Sequence, residues 1–232
     1  MLRAPRTLAV LFCVFVSLAR AAFIAPDAFD PLEIVAPPPA PGSIMAESER
    51  LVLVLLERNR TPQQAALAQH WEKYDPFKLV RPVLGDWADA HTLPKLAAFI
   101  QNSTVETRPF TDRTKNGYAR PRPHVDNPAL VLPIAKPDSP SYPSGHATAA
   151  ALHAALLAAA LPEHAADFAH EAELASLSRL YGGAHYPSDI VAGQRLGDAI
   201  ARAMLKSPQT QAALAEIRAE LAAAIAAHRK AA

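Results

Sequence analysis

The hydrophobic residues of this chain are grouped in segments that begin at a capping residue and end at a proline or glycine. Ser43 precedes a segment with the apolar run Leu51 to Leu56, which predicts a helix to about Arg58. The next segment opens with Thr61-Pro62-Gln63-Gln64, a capping-box pair with a proline in the first turn. This start predicts a second helix that ends at about Lys73.

The second half of the chain shows the same succession of apolar segments and breakers. An apolar run predicts a buried helix from Ala147 to Leu161, because it is shorter than the ~20 residues that cross a bilayer. Gly182-Gly183 ends a helix predicted over 165–181, since glycine tolerates a left-handed exit. The other predicted helices run from Leu93 to about Val105, from Pro187 to about Lys206, and from Pro208 to the C-terminus. We find no convincing alternating strand pattern, so the sequence predicts an all-α, single-domain helical bundle.

The N-terminal residues have the pattern of a secretory signal peptide. Arg3 and Arg6 precede the apolar run Leu8 to Val16, and Ala19-Arg20-Ala21 matches an A-x-A cleavage site. A retained membrane anchor is the alternative, but the run is short for a span. We therefore expect export, with a periplasmic or secreted location. The predicted organisation is a signal peptide at 1–21, a proline-rich extended lead-in at 22–42 and a helical domain at 43–232.

Composition restricts the class of function. The 232 residues are 50% hydrophobic and 19% charged, which suits one globular domain with a sizeable core. Without residues 1–21 the chain has 20 basic and 22 acidic residues, and this formal charge of −2 does not favour binding to a nucleic-acid polymer. The single cysteine, Cys13, lies in the predicted signal peptide, so we expect neither a disulfide nor a thiolate metal site.

Ser144, Gly145 and His146 stand together where the long apolar helix begins. A helix start gathers free backbone N–H groups and the positive end of the helix dipole, which together favour an anion. Glycine allows a ligand to approach the backbone, and histidine can exchange a proton near neutral pH. The plainer interpretation is an ordinary serine cap beside a surface histidine.

Two further segments contain residue types suited to phosphate chemistry. Between residues 115 and 123 the basic residues are Lys115, Arg120 and Arg122. Further along, Arg179 precedes a predicted helix end, His185 follows the turn, and Asp189 comes four residues later. A carboxylate at that position could hold one ring nitrogen of the histidine and leave the other as a nucleophile. By itself, each segment also fits a structural explanation, namely a solvated basic face or a structural His–Asp pair.

In order, the three segments read as a lysine, six residues and Arg-Pro; Pro-Ser-Gly-His; and Ser-Arg, five residues, histidine, three residues and aspartate. This pattern resembles the signature of the type 2 phosphatidic acid phosphatase superfamily, which vanadium haloperoxidases share. The matching residues are Lys115, Arg122 and Pro123; Pro143 to His146; and Ser178, Arg179, His185 and Asp189. The signal peptide and the stretches PPPAPGS, YARPRP and SYPSGH are also similar to bacterial class A nonspecific acid phosphatases. His124 and Ala147 replace the phenylalanine and threonine expected there.

The resemblance implies the helical fold of the acid phosphatase and vanadium haloperoxidase type. It implies a metal-independent acid phosphatase that hydrolyses phosphomonoesters through a phosphohistidine, with phosphotransfer to other alcohols as a further activity. His185 would be the nucleophile, Asp189 its orienting carboxylate, and His146 the general acid and base. The implied phosphate-binding residues are Lys115, Arg122, Ser144, Gly145 and Arg179.

Three alternatives stay open on the sequence. They are a vanadium-dependent haloperoxidase with vanadate bound at His185, a soluble lipid-phosphate phosphatase, and a phosphate-binding protein without catalysis. We expect no cofactor and no metal ligands, because no coherent ligand motif is present. The expected partners are small phosphate esters, with inhibition by vanadate and, by resemblance, a homodimer.

Overall fold

The computed structural model describes residues 22–231, and the predicted signal peptide lies outside this range. The described residues form ten α-helices, a short 3-10 turn at Pro162–His164 and no strand, which confirms the predicted all-α class. The helices are α1 Pro31–Ile34, α2 Ile44–Arg58, α3 Pro62–His70, α4 Phe77–Leu84, α5 Pro94–Tyr118, α6 Pro123–Asp126, α7 Gly145–Ala160, α8 Ala165–Tyr181, α9 Pro187–Leu205 and α10 Pro208–Ala231.

The predicted helix starts are confirmed by the caps. The Ser43 hydroxyl accepts a hydrogen bond from Ala46 N, and Thr61 and Gln64 form the expected reciprocal capping box. Ser144 caps α7 in the same way by accepting from Ala147 N at 3.3 Å. Local side-chain bonding of this kind satisfies donors that a helix start leaves free, which explains why the starts could be predicted from sequence.

The predicted end of the third helix is wrong. The helix was expected to end at about Val105, but α5 continues through Pro109 to Tyr118. Its buried face continues past that point with Thr107, Phe110 and Thr114, so packing outweighs the hydrogen bond that proline removes. This extension places Lys115 on the last turn of α5. The helix backbone therefore fixes the position of Lys115. Helices α1, α4 and α6 were not predicted.

Helix α7 lies at the centre of the bundle and packs mainly against α9 and α8. Its buried side chains include Thr148, Leu152 and Leu156, as expected for a core helix. Within 22–231, none of the helices combines the length and the hydrophobicity needed to cross a membrane.

Helices α7 and α9 are in backbone contact near their N-termini. A Cβ atom added at Gly193 would lie 2.5 Å from Ser144 O, and one added at Gly197 would lie 2.3 Å from Thr148 O. Ser144 N also donates a hydrogen bond to Asp189 O at 2.9 Å. The two helix starts are therefore held side by side, which determines where the functional side chains emerge.

The segment before α2 packs on the body of the bundle. Phe23 and Ile24 are buried, and their backbone N–H groups donate to the Glu106 carboxylate at 2.8 and 3.1 Å. Tyr118 lies on the last turn of α5, and its hydroxyl donates a hydrogen bond to Val35 O at 2.8 Å. The segment therefore braces α5 near the turn that carries Lys115.

Replacing Gly197 with alanine should destabilise the protein. A methyl group at this position meets a backbone carbonyl that cannot move aside, so we expect the free energy of unfolding to fall by roughly 2 kcal/mol. Urea unfolding of Gly197→Ala measures this change. Gly117→Ala is the matched control, because its added methyl would meet only the flexible Leu32 side chain and alanine favours the helix. A Gly197→Ala variant as stable as the wild type would contradict this account of the α7–α9 contact.

Candidate active site

The start of α9 holds a histidine against a fully buried carboxylate. Asp189 Oδ2 accepts from Tyr186 N at 2.9 Å and from the Ser141 hydroxyl at 2.5 Å. The same oxygen lies 3.3 Å from Nδ1 of His185, whose side chain is also buried. The predicted contact between His185 and the carboxylate that follows it is therefore present.

The partners of His185 determine its tautomer. The Arg122 guanidinium lies 2.8 Å from Nε2 of His185, and Asp189 lies beside Nδ1. A guanidinium can only donate and an ionised carboxylate can only accept, so the ring proton belongs on Nδ1. This assignment leaves the lone pair of Nε2 as the acceptor on the opposite edge of the ring.

Three cations come from three different helices. Lys115 is on the last turn of α5, Arg122 occupies the position just before α6, and Arg179 is on the last turn of α8. Backbone oxygens fix their directions: Lys115 donates to Pro140 O at 2.5 Å, Arg122 to Ala184 O at 2.8 Å, and Arg179 to Trp71 O at 3.3 Å. The three cationic groups are thus held by main-chain atoms from different parts of the fold.

The cations and both histidines line one cavity of about 350 Å³. The predicted site residues that line it are Lys115, Arg122, Gly145, His146, Arg179 and His185. Asp189 is fully buried behind His185 rather than in the cavity wall. Ser144 is also fully buried, and its hydroxyl oxygen caps α7, so the capping interpretation of this serine is the one seen.

The start of α7 presents backbone donors to the cavity. The first bond of the α7 ladder runs from Thr148 N to Ser144 O, so the N–H groups of Gly145 and His146 have no partner within the helix. A Cβ added at Gly145 would meet nothing within 4 Å, because this face is open. The glycine therefore leaves room for a ligand to reach the backbone, as the sequence predicted.

Burial lowers the pKa of all three cations, and the nearby charge of Arg122 adds to this effect for Lys115 and Arg179. Burial, followed by the nearby Arg122, lowers the pKa of Lys115 to about 8. Burial lowers the pKa of both arginines to about 10, and for Arg179 the charge of Arg122 adds to the effect. An anion placed among these groups would relieve their repulsion, so the cavity is suited to a phosphoryl group.

Burial and the nearby cations also lower the pKa of the two histidines. Burial is the main cause that lowers the pKa of His146 to about 3, and Arg179 adds to it. Burial and Arg122 also hold the pKa of His185 below its ordinary range, although the bond to Asp189 opposes them. His185 is therefore neutral in mildly acidic solution, as a nucleophile must be. His146 gains a proton there only if a bound anion offsets the cations.

Buried aromatic and polar groups surround His146. Its Nε2 atom is buried without a hydrogen-bond partner in the described part of the chain, and the Tyr74 ring meets its ring edge to face. The Tyr74 hydroxyl lies 2.8 Å from Nδ1 of His153, whose side chain is fully buried. The position of His146 is thus set by packing that its own motif does not reveal.

Two residues that carry a charge beside the site were not assigned a role from sequence. Arg120 donates to Asp189 Oδ1 at 2.7 Å and to the Glu49 carboxylate at 2.7 Å. The sequence shows Arg120 only as a member of a basic segment, and Glu49 has no local signal because it lies 71 residues away on α2. Among residues 22–231, no cluster of three or more His, Cys, Asp or Glu side chains could hold a metal ion.

Comparison with curated proteins finds acid phosphatases. The chain is 31% identical over 175 residues to an acid phosphatase of Zymomonas mobilis, which covers 71% of this chain and 65% of that protein. It is 33% identical over 151 residues to a non-specific acid phosphatase of Salmonella typhi, and this match covers 62% of this chain and 60% of that protein. The matches thus span between 60% and 65% of the length of these relatives.

Comparison with solved structures supports the fold. A bacterial vanadium-dependent iodoperoxidase matches with a TM-score of 0.57 and 16% identity, covering 75% of this chain and 52% of that one. A transmembrane PAP2-type phosphatidylglycerolphosphate phosphatase from Bacillus subtilis matches with a TM-score of 0.54 and 18% identity. This match covers 71% of this chain and 87% of that one. The family model for the PAP2 superfamily matches residues 96–213, which contain all three predicted motifs. The chain belongs to the PAP2 superfamily.

Proposed function

We propose that this protein is an exported acid phosphatase that hydrolyses phosphomonoesters through a phosphohistidine at His185, without a metal ion. The observation that carries the proposal is the orientation of His185, whose unprotonated Nε2 faces Arg122 in a cavity shared with Lys115, Arg179 and His146. The acid phosphatases among its relatives support the reaction class. A non-catalytic phosphate-binding protein would need the cations but not this pair of oriented histidines.

The three cations and the start of α7 would bind the phosphoryl group. Arginine donors suit the oxygens of a phosphate, and lysine adds a point charge. The N–H groups of Gly145 and His146 add the positive end of the helix dipole. Together these groups supply fixed positive charge where a phosphoryl transition state carries negative charge, the function that metal ions serve in many phosphatases.

The first step would break the ester bond. The lone pair on His185 Nε2 attacks phosphorus, the bond from phosphorus to the ester oxygen breaks, and His146 gives its proton to the departing alkoxide. Asp189 faces Nδ1–H of His185 and stabilises the positive charge that the ring acquires. The products of this step are the free alcohol and a phosphoryl group bonded to His185.

The second step would return the protein to its starting state. His146, now neutral, takes a proton from water as the water oxygen attacks phosphorus. The bond between phosphorus and Nε2 breaks, and inorganic phosphate leaves. Attack by another alcohol in place of water would give phosphotransfer. The first step requires a protonated His146, and the negative charge of the bound substrate supplies this condition by raising the pKa that burial and Arg179 lower.

Export rests on the sequence pattern of residues 1–21, which lie outside the described residues. The proposal places the mature protein in the periplasm or outside the cell, where it would act on small phosphate esters. A homodimer remains a sequence-based expectation.

His185→Ala should abolish turnover and the covalent intermediate together. We expect kcat for phenyl phosphate to fall by more than about a thousandfold, because alanine removes the nitrogen that attacks phosphorus. Acid-labile, base-stable phosphate should be trapped on the wild type after rapid quenching and be absent from the variant. His91→Ala, which changes an exposed histidine, is the control and should behave like the wild type. A full yield of trapped phosphohistidine in His185→Ala would contradict the assignment.

Chelators should leave the activity unchanged, because side chains provide the positive charge.

Vanadate should inhibit, since it takes up the geometry of the phosphoryl group during transfer. Turnover of phenyl phosphate with EDTA, and separately with vanadate, measures both effects. Loss of activity in EDTA that a divalent metal restores would contradict metal independence. Rapid halide oxidation by the vanadate-treated protein with peroxide would favour the haloperoxidase alternative.

The rate should fall as the pH rises from acidic to alkaline values. In the complex with substrate, His146 loses its proton first, and above about pH 8 Lys115 loses the charge that it holds below its lowered pKa. At the acidic end His185 stays neutral because its pKa is lowered, so nucleophilic attack continues in mildly acidic solution. Profiles of kcat and kcat/KM for phenyl phosphate test this order. Constant values between pH 5 and 9 would be inconsistent with these roles.

A further inference from the structure

The carboxylate behind His185 is held from its far side by a buried ion pair. The Arg120 guanidinium donates to Asp189 Oδ1 and to the Ser188 hydroxyl, at 2.7 and 2.8 Å, and to the Glu49 carboxylate at 2.7 Å. The Arg120 and Glu49 side chains are 10% and 5% exposed. Charged groups this buried are rare unless they are paired, because removing them from water is costly.

The two carboxylate oxygens of Asp189 have different partners. Oδ1 faces Arg120, whereas Oδ2 faces His185, the Ser141 hydroxyl and Tyr186 N. With both oxygens engaged, the carboxylate cannot rotate about its own axis. Its Oδ2 therefore stays directed at Nδ1 of His185, which fixes both the tautomer and the plane of the ring.

Glu49 has a second contact that fixes the start of α9. Its other oxygen, Oε1, accepts a hydrogen bond from Ser188 N at 2.6 Å, in the first turn of the helix that carries Asp189. Arg120 also lies over the Tyr186 ring, 4.0 Å from its centroid. Glu49 on α2 and Arg120 after α5 thus hold both the carboxylate and the helix turn from which it projects.

The charge of the group also depends on Glu49. Arg120 alone would neutralise Asp189, and the positive charge that His185 acquires during phosphoryl transfer would then face a neutral pair. Glu49 takes up the charge of Arg120, so the three side chains together keep one negative charge next to His185. Electrostatic support of this kind is strongest in a buried site, where water does not screen it.

We propose that Glu49 and Arg120 are positioning residues, which hold Asp189 toward His185 and preserve its negative charge during phosphoryl transfer. Neither side chain lines the cavity, so they act through Asp189 and not on the substrate. The proposal rests on the proposed function, because it assigns a means of supporting the nucleophile of that reaction. A purely structural ion pair would affect the stability of the fold, whereas the proposed role affects phosphoryl transfer and therefore kcat.

The test is Glu49→Gln, which keeps the shape and removes the charge. We expect kcat for phenyl phosphate to fall roughly 10- to 100-fold, the range found when the outer hydrogen-bond partners of metal-ligating histidines are replaced, with KM within about twofold of the wild type. Glu47→Gln is the matched control, since Glu47 lies on the same helix but is 57% exposed. Unfolding curves establish that each variant is folded. Unchanged kcat, or KM rising in step with the loss of kcat in a folded variant, would overturn the proposal.

A second pair of variants keeps the proposal testable if Glu49→Gln does not fold. Arg120→Lys should retain part of the activity that Arg120→Met loses, because an ammonium can hold Asp189 but cannot also bridge to Glu49 as a guanidinium does. Equal activity in the two folded variants would contradict the role of Arg120.

The Nδ1 proton of His185, followed by nuclear magnetic resonance, separates this proposal from the proposed function. Its signal should shift in Glu49→Gln and not in Glu47→Gln, whether or not the protein turns over phosphate esters. A wild type that forms no phosphohistidine would defeat the proposed function. An unmoved proton signal would defeat the positioning role.

Discussion

The contact between the backbones of α7 and α9 is the constraint on which the site depends. Gly193 and Gly197 leave no room for a side chain between the helices, and Ser144 N bonds directly to Asp189 O. His146 and His185 lie 39 residues apart in the chain and enter one cavity because these two helix starts are locked together. A looser contact would separate the histidines, and no choice of residues within the motifs could correct that.

Electrostatics explains why so much of the surrounding fold is polar and buried. Lys115, Arg122 and Arg179 lose hydration in the folded state, which lowers the pKa of each, and the charge of Arg122 lowers the pKa of Lys115 and Arg179 further. Backbone oxygens hold each of them in place, and an anion would compensate their charge. Asp189 carries a buried negative charge, and hydrogen bonds from Ser141, Tyr186 and Arg120 stabilise this charge. On the proposed function, binding of a phosphoryl group among these cations would stabilise the folded protein.

The sequence predicted the features that depend on local chemistry. Helix starts followed from Ser43, Thr61 and Ser144, whose hydroxyls bond within their own turn, and six of the predicted site residues line the cavity. Features set by distant packing were not predictable. The extension of α5 past Pro109 depends on its buried face, and the pairing of Glu49 with Arg120 depends on how α2 lies in the bundle. The burial of Ser144 likewise follows from the α7–α9 contact and not from its motif.

The central claim is that a tetrahedral anion binds among the three cations, between the two imidazoles, in line with Nε2 of His185. A crystal structure of the protein with orthovanadate tests it most directly. The account predicts vanadium bonded to His185 Nε2, with its oxygens contacted by Lys115, Arg122 and Arg179. Vanadate bound elsewhere, or bound in the cavity without a bond to His185, would contradict it.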